Sequence, residues 1–258
     1  MPITLNDWDQ AKGKSPLAVV TAYDYTFARL ADQAGVDALL VGDSAAMVFS
    51  GLDNTLSVTL EQMVYHTQAV ARGRARALLI SDLPFLSYQE SPAQALRSAG
   101  ALLQAGAQVV KLEGGAVMAQ TVAFLSQRGI PVCAHIGLTP QSVHQLGGYR
   151  RQGREPAAAA RLRADAQILT DAGARMVLLE AIPSALAADI TAQIAAPTIG
   201  IGAGPHCDAQ VLVLHDVLGL YQGKSPAFAK AFLDGATQVQ SALAGYVAAV
   251  RERRFPPH

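Results

Sequence analysis

Ala38-Leu39-Leu40-Val41-Gly42-Asp43 is a short apolar run closed by an acid. The same design recurs at Ala77-Leu78-Leu79-Ile80-Ser81-Asp82 and at Gln108-Val109-Val110-Lys111-Leu112-Glu113. Runs of this length and composition read as buried strands, and the three are spaced by about one strand–helix unit, the interval at which strands lie parallel. Parallel strands bring their C-terminal ends to one side of a sheet, so Asp43, Asp82 and Glu113 can converge there. Clustered carboxylates repel one another unless positive charge lies between them, and hard divalent cations take oxygen ligands. A magnesium-type metal is therefore the first expectation.

Outward from these runs the pattern continues in both directions. Leu17 to Ala22 is strand-like and leads into a helix from Tyr25 to about Gln33. Thr59 to Ala71 reads as a helix opened by a Thr59/Gln62 capping box. Pro92 lies in the first turn of another, which runs to Ala105 and stops before Gly106. Val117 to Gln127 is helical, Pro131 to His135 is a strand, and Leu138 to Arg154 reads as a long Gly- and Gln-rich loop. Ala157 to Ala172 is an Ala-rich helix, Met176 to Glu180 the sixth strand, Ser184 to Ile194 a helix and Thr198 to Gly202 the seventh strand. Val211 to Asp216 is read as the eighth strand, before closing helices from Pro226 to about Arg251. Strand–helix units without a linker or a composition break predict a single (β/α)8 TIM barrel over residues 1–258, with a short N-terminal extension; an open doubly wound sheet is the competitor.

The length of 258 residues suits one such barrel, and 20 basic against 20 acidic residues leave no field that would favour nucleic acid or an anionic membrane. The N-terminal stretch to Trp8 lacks the basic start and long apolar run of a signal peptide, and no apolar segment is long enough to span a bilayer, so the expected location is cytoplasmic. Cys133 and Cys207 follow no metal-ligand spacing and are expected to be reduced and structural. An apolar content of 51%, much of it Ala on helices, points to a surface buried between subunits.

Functional residues of such barrels stand where strands meet their following loops. That filter selects Asp43 with Ser44, Asp82, Lys111 with Glu113, His135 and Glu180. Any one of these acids could merely cap the next helix, but acids or bases at several strand ends are harder to set aside. Lys111 and Glu113 are two apart on one strand and share a face. His135 alone would be read as a core histidine, and His66 and His144 as surface residues; the remaining histidines offer no zinc spacing. The turn Gly200-Ile201-Gly202-Ala203-Gly204 lacks the helix that a dinucleotide fingerprint needs, which leaves an anion-binding backbone nest or room for a ligand. No nucleophilic triad is evident. A metal with open positions could chelate an α-keto acid and stabilise its enolate, Glu180 could take the α proton, and Lys111 and His135 could hold the carboxylate.

Several stretches carry a more specific likeness. Val20-Thr21-Ala22-Tyr23-Asp24, Leu40 to Ser44, Val110 to Gly115, His135-Ile136-Gly137-Leu138-Thr139-Pro140-Gln141-Ser142, Gly147-Gly148-Tyr149, Gln152-Gly153-Arg154 and Ile199 to Gly204 together resemble the ketopantoate hydroxymethyltransferase family, in order, from about Ala18 to Lys230. The resemblance implies a barrel of the phosphoenolpyruvate/pyruvate superfamily type. It implies transfer of a one-carbon unit from 5,10-methylenetetrahydrofolate to 3-methyl-2-oxobutanoate, giving 2-dehydropantoate on the route to pantothenate. It also implies Mg²⁺ at Asp43, Asp82 and Glu113, the keto acid on Asp43, Ser44, Asp82 and Lys111 with His135 beside it, Glu180 as proton acceptor, and a large homo-oligomer, commonly a decamer. The sequence departs from the family's pattern at Leu52, Asn54 and Ser57 of the 51–59 loop, at Ala209 where Gly is usual, and in the form Glu180-Ala181-Ile182-Pro183. The rival readings are a keto-acid lyase or phosphomutase of the same superfamily and a silent keto-acid-binding relative. Lyases of that group use a cysteine in a Lys-Lys-Cys-Gly-His type of loop, a setting that neither Cys133 nor Cys207 has.

Overall fold

The computed structural model describes residues 1–14, 16–220, 228–233, 235, 237 and 238. Among them, parallel strands β1 (Leu17–Thr21), β2 (Ala38–Val41), β3 (Leu78–Asp82), β4 (Val109–Glu113), β5 (Val132–Gly137), β6 (Met176–Glu180), β7 (Thr198–Ile201) and β8 (Ala209–Leu212) close into a barrel in chain order. The closed barrel, not the open sheet, is the outcome. Pairs such as Leu40↔Ile80, Lys111↔Cys133 and Gly137↔Glu180 set the register, and they level the strand ends that carry the acids.

Alternation along the strands divides the apolar residues into two sets. Val19, Leu40, Ile80, Val109, Cys133 and Leu178 fill the interior. The intervening Leu39, Leu79, Val110, Ala134 and Val177 are equally buried, as they must be where helices cover the outer face. The N-terminal extension carries α1 (Leu5–Ala11), whose Thr4 cap is reciprocated by Asp7. It delivers Trp8, 1% exposed, to the interior cluster at the N-terminal ends of the strands.

The remaining helices are α2 (Tyr25–Ala34), α3 (Ala45–Val48), α4 (Leu60–Gly73), α5 (Pro92–Gln104), α6 (Ala119–Ser126), α7 (Val143–Leu146), α8 (Pro156–Asp171), α9 (Ser184–Gln193) and α10 (Leu214–Val217). The capping box expected at Thr59 and Gln62 is formed. No helix among the described residues is long and apolar enough to cross a membrane.

Three expectations are corrected. The eighth strand lies at Ala209–Leu212, and Leu214 to Val217 is a helical turn. Asp208 fixes this start by hydrogen-bonding Thr198 at the foot of β7, whereas a short apolar run by itself does not distinguish strand from helix. The 138–154 segment is not all loop: a 3₁₀ turn at Pro140–Ser142 runs into α7. His66 is buried rather than on the surface; its Nδ1 lies 2.7 Å from the Tyr23 carbonyl oxygen, and its ring packs edge-on against Tyr23, Phe49 and Tyr65. His144 is exposed as expected. Met1–Val211 forms one compact unit and Leu212–His258 another. Within the second, the Phe232 N–H donates to the Val217 carbonyl; most of the expected closing helices, 226–251, lie outside the described residues.

Candidate active site

The C-terminal ends of β2 to β6 gather the acids and bases picked out above. Asp43 follows β2 by way of Gly42, Asp82 ends β3, and Lys111 and Glu113 project from one face of β4. His135 comes from β5 and Glu180 from the last position of β6. All but Glu180 are sealed from solvent, whereas the Glu180 side chain is 15% exposed.

Lys111 is the centre of the cluster. Its Nζ lies 3.2 Å from Asp82 Oδ2, 3.9 Å from Glu113 Oε1 and 3.3 Å from His135 Nδ1. His135 bridges two acids, with Nδ1 at 3.3 Å from Glu113 Oε1 and Nε2 at 3.2 Å from Glu180 Oε2. The Asp43 N–H donates to Asp82 Oδ2 at 3.0 Å. Ser44 makes no bond to these acids; its Oγ lies 2.9 Å from the Tyr23 hydroxyl, at the edge of the cluster.

Electrostatics follow from burial and charge count. Burial opposes the charge on Lys111, but Asp82, Glu113 and Asp43 outweigh it and hold the ammonium well above its ordinary range. Burial and Lys111 push His135 down, yet Glu113 and Glu180 prevail and raise it to about 9, so the imidazole is cationic at neutral pH. Glu113, though buried, is held below its usual value by His135, by Lys111 and by the Gln141 N–H. Asp43 goes the other way: burial first, then Asp82 and Glu113, push it well above 3.8. Asp82 is raised as well, chiefly by burial. The mouth thus sets four acids, Asp43, Asp82, Glu113 and Glu180, against two bases, Lys111 and His135.

Two residues with no expected role organise the carboxylates. Gln141 donates from Nε2 to Asp43 Oδ2 at 2.9 Å and from its backbone N–H to Glu113 Oε2 at 2.9 Å. The Tyr88 hydroxyl donates to Gln141 Oε1 at 2.7 Å and accepts the Glu113 N–H at 3.0 Å. Both are buried. A glutamine in a Gly- and Gln-rich loop carries no periodic signal, and its reach to Asp43 exists only once the loop is folded. Gly137 is the structural condition for that loop. It adopts φ +96°, and a Cβ there would collide with the Glu180 carbonyl oxygen, so this position in the His135–Ser142 stretch needs glycine.

The donor set suits a hard cation. Asp82 Oδ1 is buried with no hydrogen-bond partner, and such an orphaned carboxylate oxygen is costly without a ligand. Among the described residues no three His, Cys, Asp or Glu side chains are already gathered as a metal cage. The Lys111 ammonium lies 3.2 Å from Asp82 and 3.9 Å from Glu113.

Comparison with known proteins agrees with the motif reading. A family model described as ketopantoate hydroxymethyltransferase matches residues 2–258. The chain is 56% identical over 257 residues to 3-methyl-2-oxobutanoate hydroxymethyltransferase of an Azoarcus species, covering 99% of this chain and 95% of the relative. It is likewise 56% identical over 257 residues to the protein of that name from Thiobacillus denitrificans, covering 99% and 98%. Among solved structures, 2,3-dimethylmalate lyase, a member of the PEP mutase/isocitrate lyase superfamily, superposes with a TM-score of 0.58 at 18% identity, covering 99% of this chain and 89% of that one; this likeness is one of fold.

Proposed function

The chain belongs to the ketopantoate hydroxymethyltransferase family, and from that membership we propose that it moves a one-carbon unit from 5,10-methylenetetrahydrofolate to 3-methyl-2-oxobutanoate, giving 2-dehydropantoate. The C3–H bond of the keto acid breaks, a bond from C3 to the methylene carbon forms, and water supplies the hydroxyl oxygen as tetrahydrofolate leaves. Glu180 Oε2 accepts the C3 proton. The observation that carries this assignment is its exposure: Glu180 alone among the clustered acids keeps part of its side chain open to an incoming substrate. The His135 imidazolium, 3.2 Å away, orients Glu180, and Lys111 supplies positive charge for the substrate carboxylate. Ser44 and Tyr23 place a hydroxyl pair beside Asp43 for polar contact with the substrate.

Asp43, Asp82 and, directly or through one water, Glu113 would hold a magnesium ion. When bound, the ion supplies Lewis acidity that makes the α carbon more acidic and neutralises the surplus charge at the mouth. A thiol mechanism of the lyase type has no support. Cys133 is buried within β5 with its thiol pushed up to about 12 by burial, and Cys207 is buried and raised for the same reason. Self-assembly belongs to this reading too, as a homo-oligomer and by family resemblance a decamer. Tyr25 and Leu30 on α2 and Tyr65 on α4 are large apolar side chains left exposed. Sedimentation should show an assembly, and a stable monomer at micromolar concentration would contradict this part of the reading.

The test of the reaction is exchange of the C3 hydrogen of 3-methyl-2-oxobutanoate into deuterated water. Glu180→Gln keeps shape and removes basicity, so exchange should slow by about 10²–10⁴-fold, the usual share of a positioned base. Substrate affinity should change little. Exchange at the wild-type rate in this variant would place the base elsewhere.

A further inference from the structure

Gln141 does more than fill a loop. Its amide has two N–H donors and two acceptor lone pairs, and all are used. The donors go to Asp43 Oδ2 at 2.9 Å and to the Leu83 carbonyl at 3.0 Å; the oxygen accepts from the Tyr88 hydroxyl at 2.7 Å and from Gln89 Nε2 at 3.1 Å. A flipped amide would set oxygen against the Asp43 carboxylate and the Leu83 carbonyl, so the network permits one orientation.

The consequence lies in what Asp43 has left to offer. One of its oxygens already accepts from Gln141, so the carboxylate is turned to present the other to a cation. Asp82 is arranged likewise: Oδ2 receives the Asp43 N–H and Lys111, and Oδ1 has no partner. Magnesium demands near-ideal octahedral geometry at short distance, which a carboxylate meets with a single oxygen. Calcium takes more ligands at longer distance and readily accepts both oxygens of one carboxylate. We propose that Gln141, held by Tyr88, is a positioning residue that restricts Asp43 to one-oxygen presentation and so sets the preference of this site for magnesium over calcium. The inference rests on the reading of Asp43 and Asp82 as the cation ligands.

Titration calorimetry of Mg²⁺ and of Ca²⁺ into the whole chain tests it without reference to turnover. In Gln141→Leu the Asp43 carboxylate is free to turn, and the ratio of the calcium Kd to the magnesium Kd should fall about tenfold, the scale at which residues behind a metal ligand act. Tyr88→Phe keeps the Asp43–Gln141 contact but loosens the amide; it should move the ratio in the same direction by a smaller factor. If Gln141→Leu does not fold, Tyr88→Phe decides alone. A purely structural role would weaken both ions by the same factor and leave the ratio unchanged, and that result would overturn the proposal. Asp82→Asn separates the two levels of the argument. It should abolish magnesium binding, and binding as tight as in the wild type would refute the ligand reading and this inference with it.

Discussion

The two ends of the barrel treat the same side chain in opposite ways. At the foot, Asp32 accepts the N–H groups of Ala75, Arg76 and Ala77 just ahead of β3. Asp208 accepts from the Gly13 and Thr198 N–H groups, from the Thr198 hydroxyl and from Lys12. Burial would raise both, but these donors outweigh it and hold both below 3.8. At the mouth, Asp43 and Asp82 are more deeply buried and have fewer donors, and burial, with repulsion from neighbouring acids, raises them. A satisfied buried carboxylate ties segments together, whereas an under-satisfied one is held ready for something that arrives later. This is the division of labour between stability and chemistry that the barrel architecture allows.

The sharpest way to break the comparison is to neutralise one acid at each end. Asp82→Asn should cut transfer by at least about 10²-fold, the scale of losing one preorganised electrostatic group, with the thermal midpoint unchanged or raised because a crowded charge is gone. Asp32→Ala should do the reverse. Orphaning the N–H groups of Ala75 to Ala77 should cost about 2–4 kcal/mol of stability, with kcat of the remaining folded protein unchanged. Urea melts and steady-state assays on the two variants check both halves. Loss of stability without loss of activity in Asp82→Asn would undo the distinction.

Much of the mouth was legible because chemistry there is written at strand ends, where Asp43, Asp82, Lys111, Glu113, His135 and Glu180 each close or nearly close an apolar run. Their convergence follows from parallel strands in register. The foot was not legible in the same way. Asp32 looks like any polar residue near the end of an amphipathic helix, and its bonds to residues 75–77 depend on how α2 packs on α4. Gln141 belongs to the His135–Ser142 motif, but its role and that of Tyr88 arise between loops and leave no period in the chain. The start of β8 at Ala209 is not set by its own residues, because Val211 to Leu214 is apolar in either register and the deciding contact, Asp208 to Thr198, is tertiary.

Acid and base titration should show the same opposition with a smaller effect. Asp32 and Asp208 have folded values below 3.8, so the stability they add is fully present above that pH and is lost as pH falls through their folded values. Asp43 and Asp82 have folded values above 3.8. They hold protons in the folded state that the unfolded chain has released, so stability declines as pH rises from 3.8 through those folded values. His135, raised from 6.5 to about 9, contributes stability that is full below 6.5 and is lost as pH rises through 9. Metal-free protein melted across pH should therefore lose stability on both sides of an acidic maximum. Asp82→Asn should flatten the upper limb and Asp32→Ala the lower; an upper limb unchanged in Asp82→Asn would mean that mouth repulsion is not its origin.

The smallest expected effect concerns how rigidly the mouth holds its base. Ala181, directly after Glu180, sits at φ +48°, a left-handed conformation that costs an L-residue about 1 kcal/mol or more. Its N–H donates to the Ile201 carbonyl at 2.8 Å, and its carbonyl accepts the Gln152 N–H at 2.9 Å, so β7 and the 138–154 segment impose the conformation from both sides. Ala181→Gly removes the strain but adds about 0.4–1 kcal/mol of unfolded-chain entropy, and the two changes nearly cancel. Stability should shift by no more than about 0.5 kcal/mol. Because the flanking hydrogen bonds persist, Glu180 should stay in place, and C3 exchange should remain within about threefold of wild type, far short of the loss from removing the base itself. A fall of about 10²-fold in Ala181→Gly would mean that the strained residue, rather than its neighbours in β7 and the loop, holds Glu180 against the substrate.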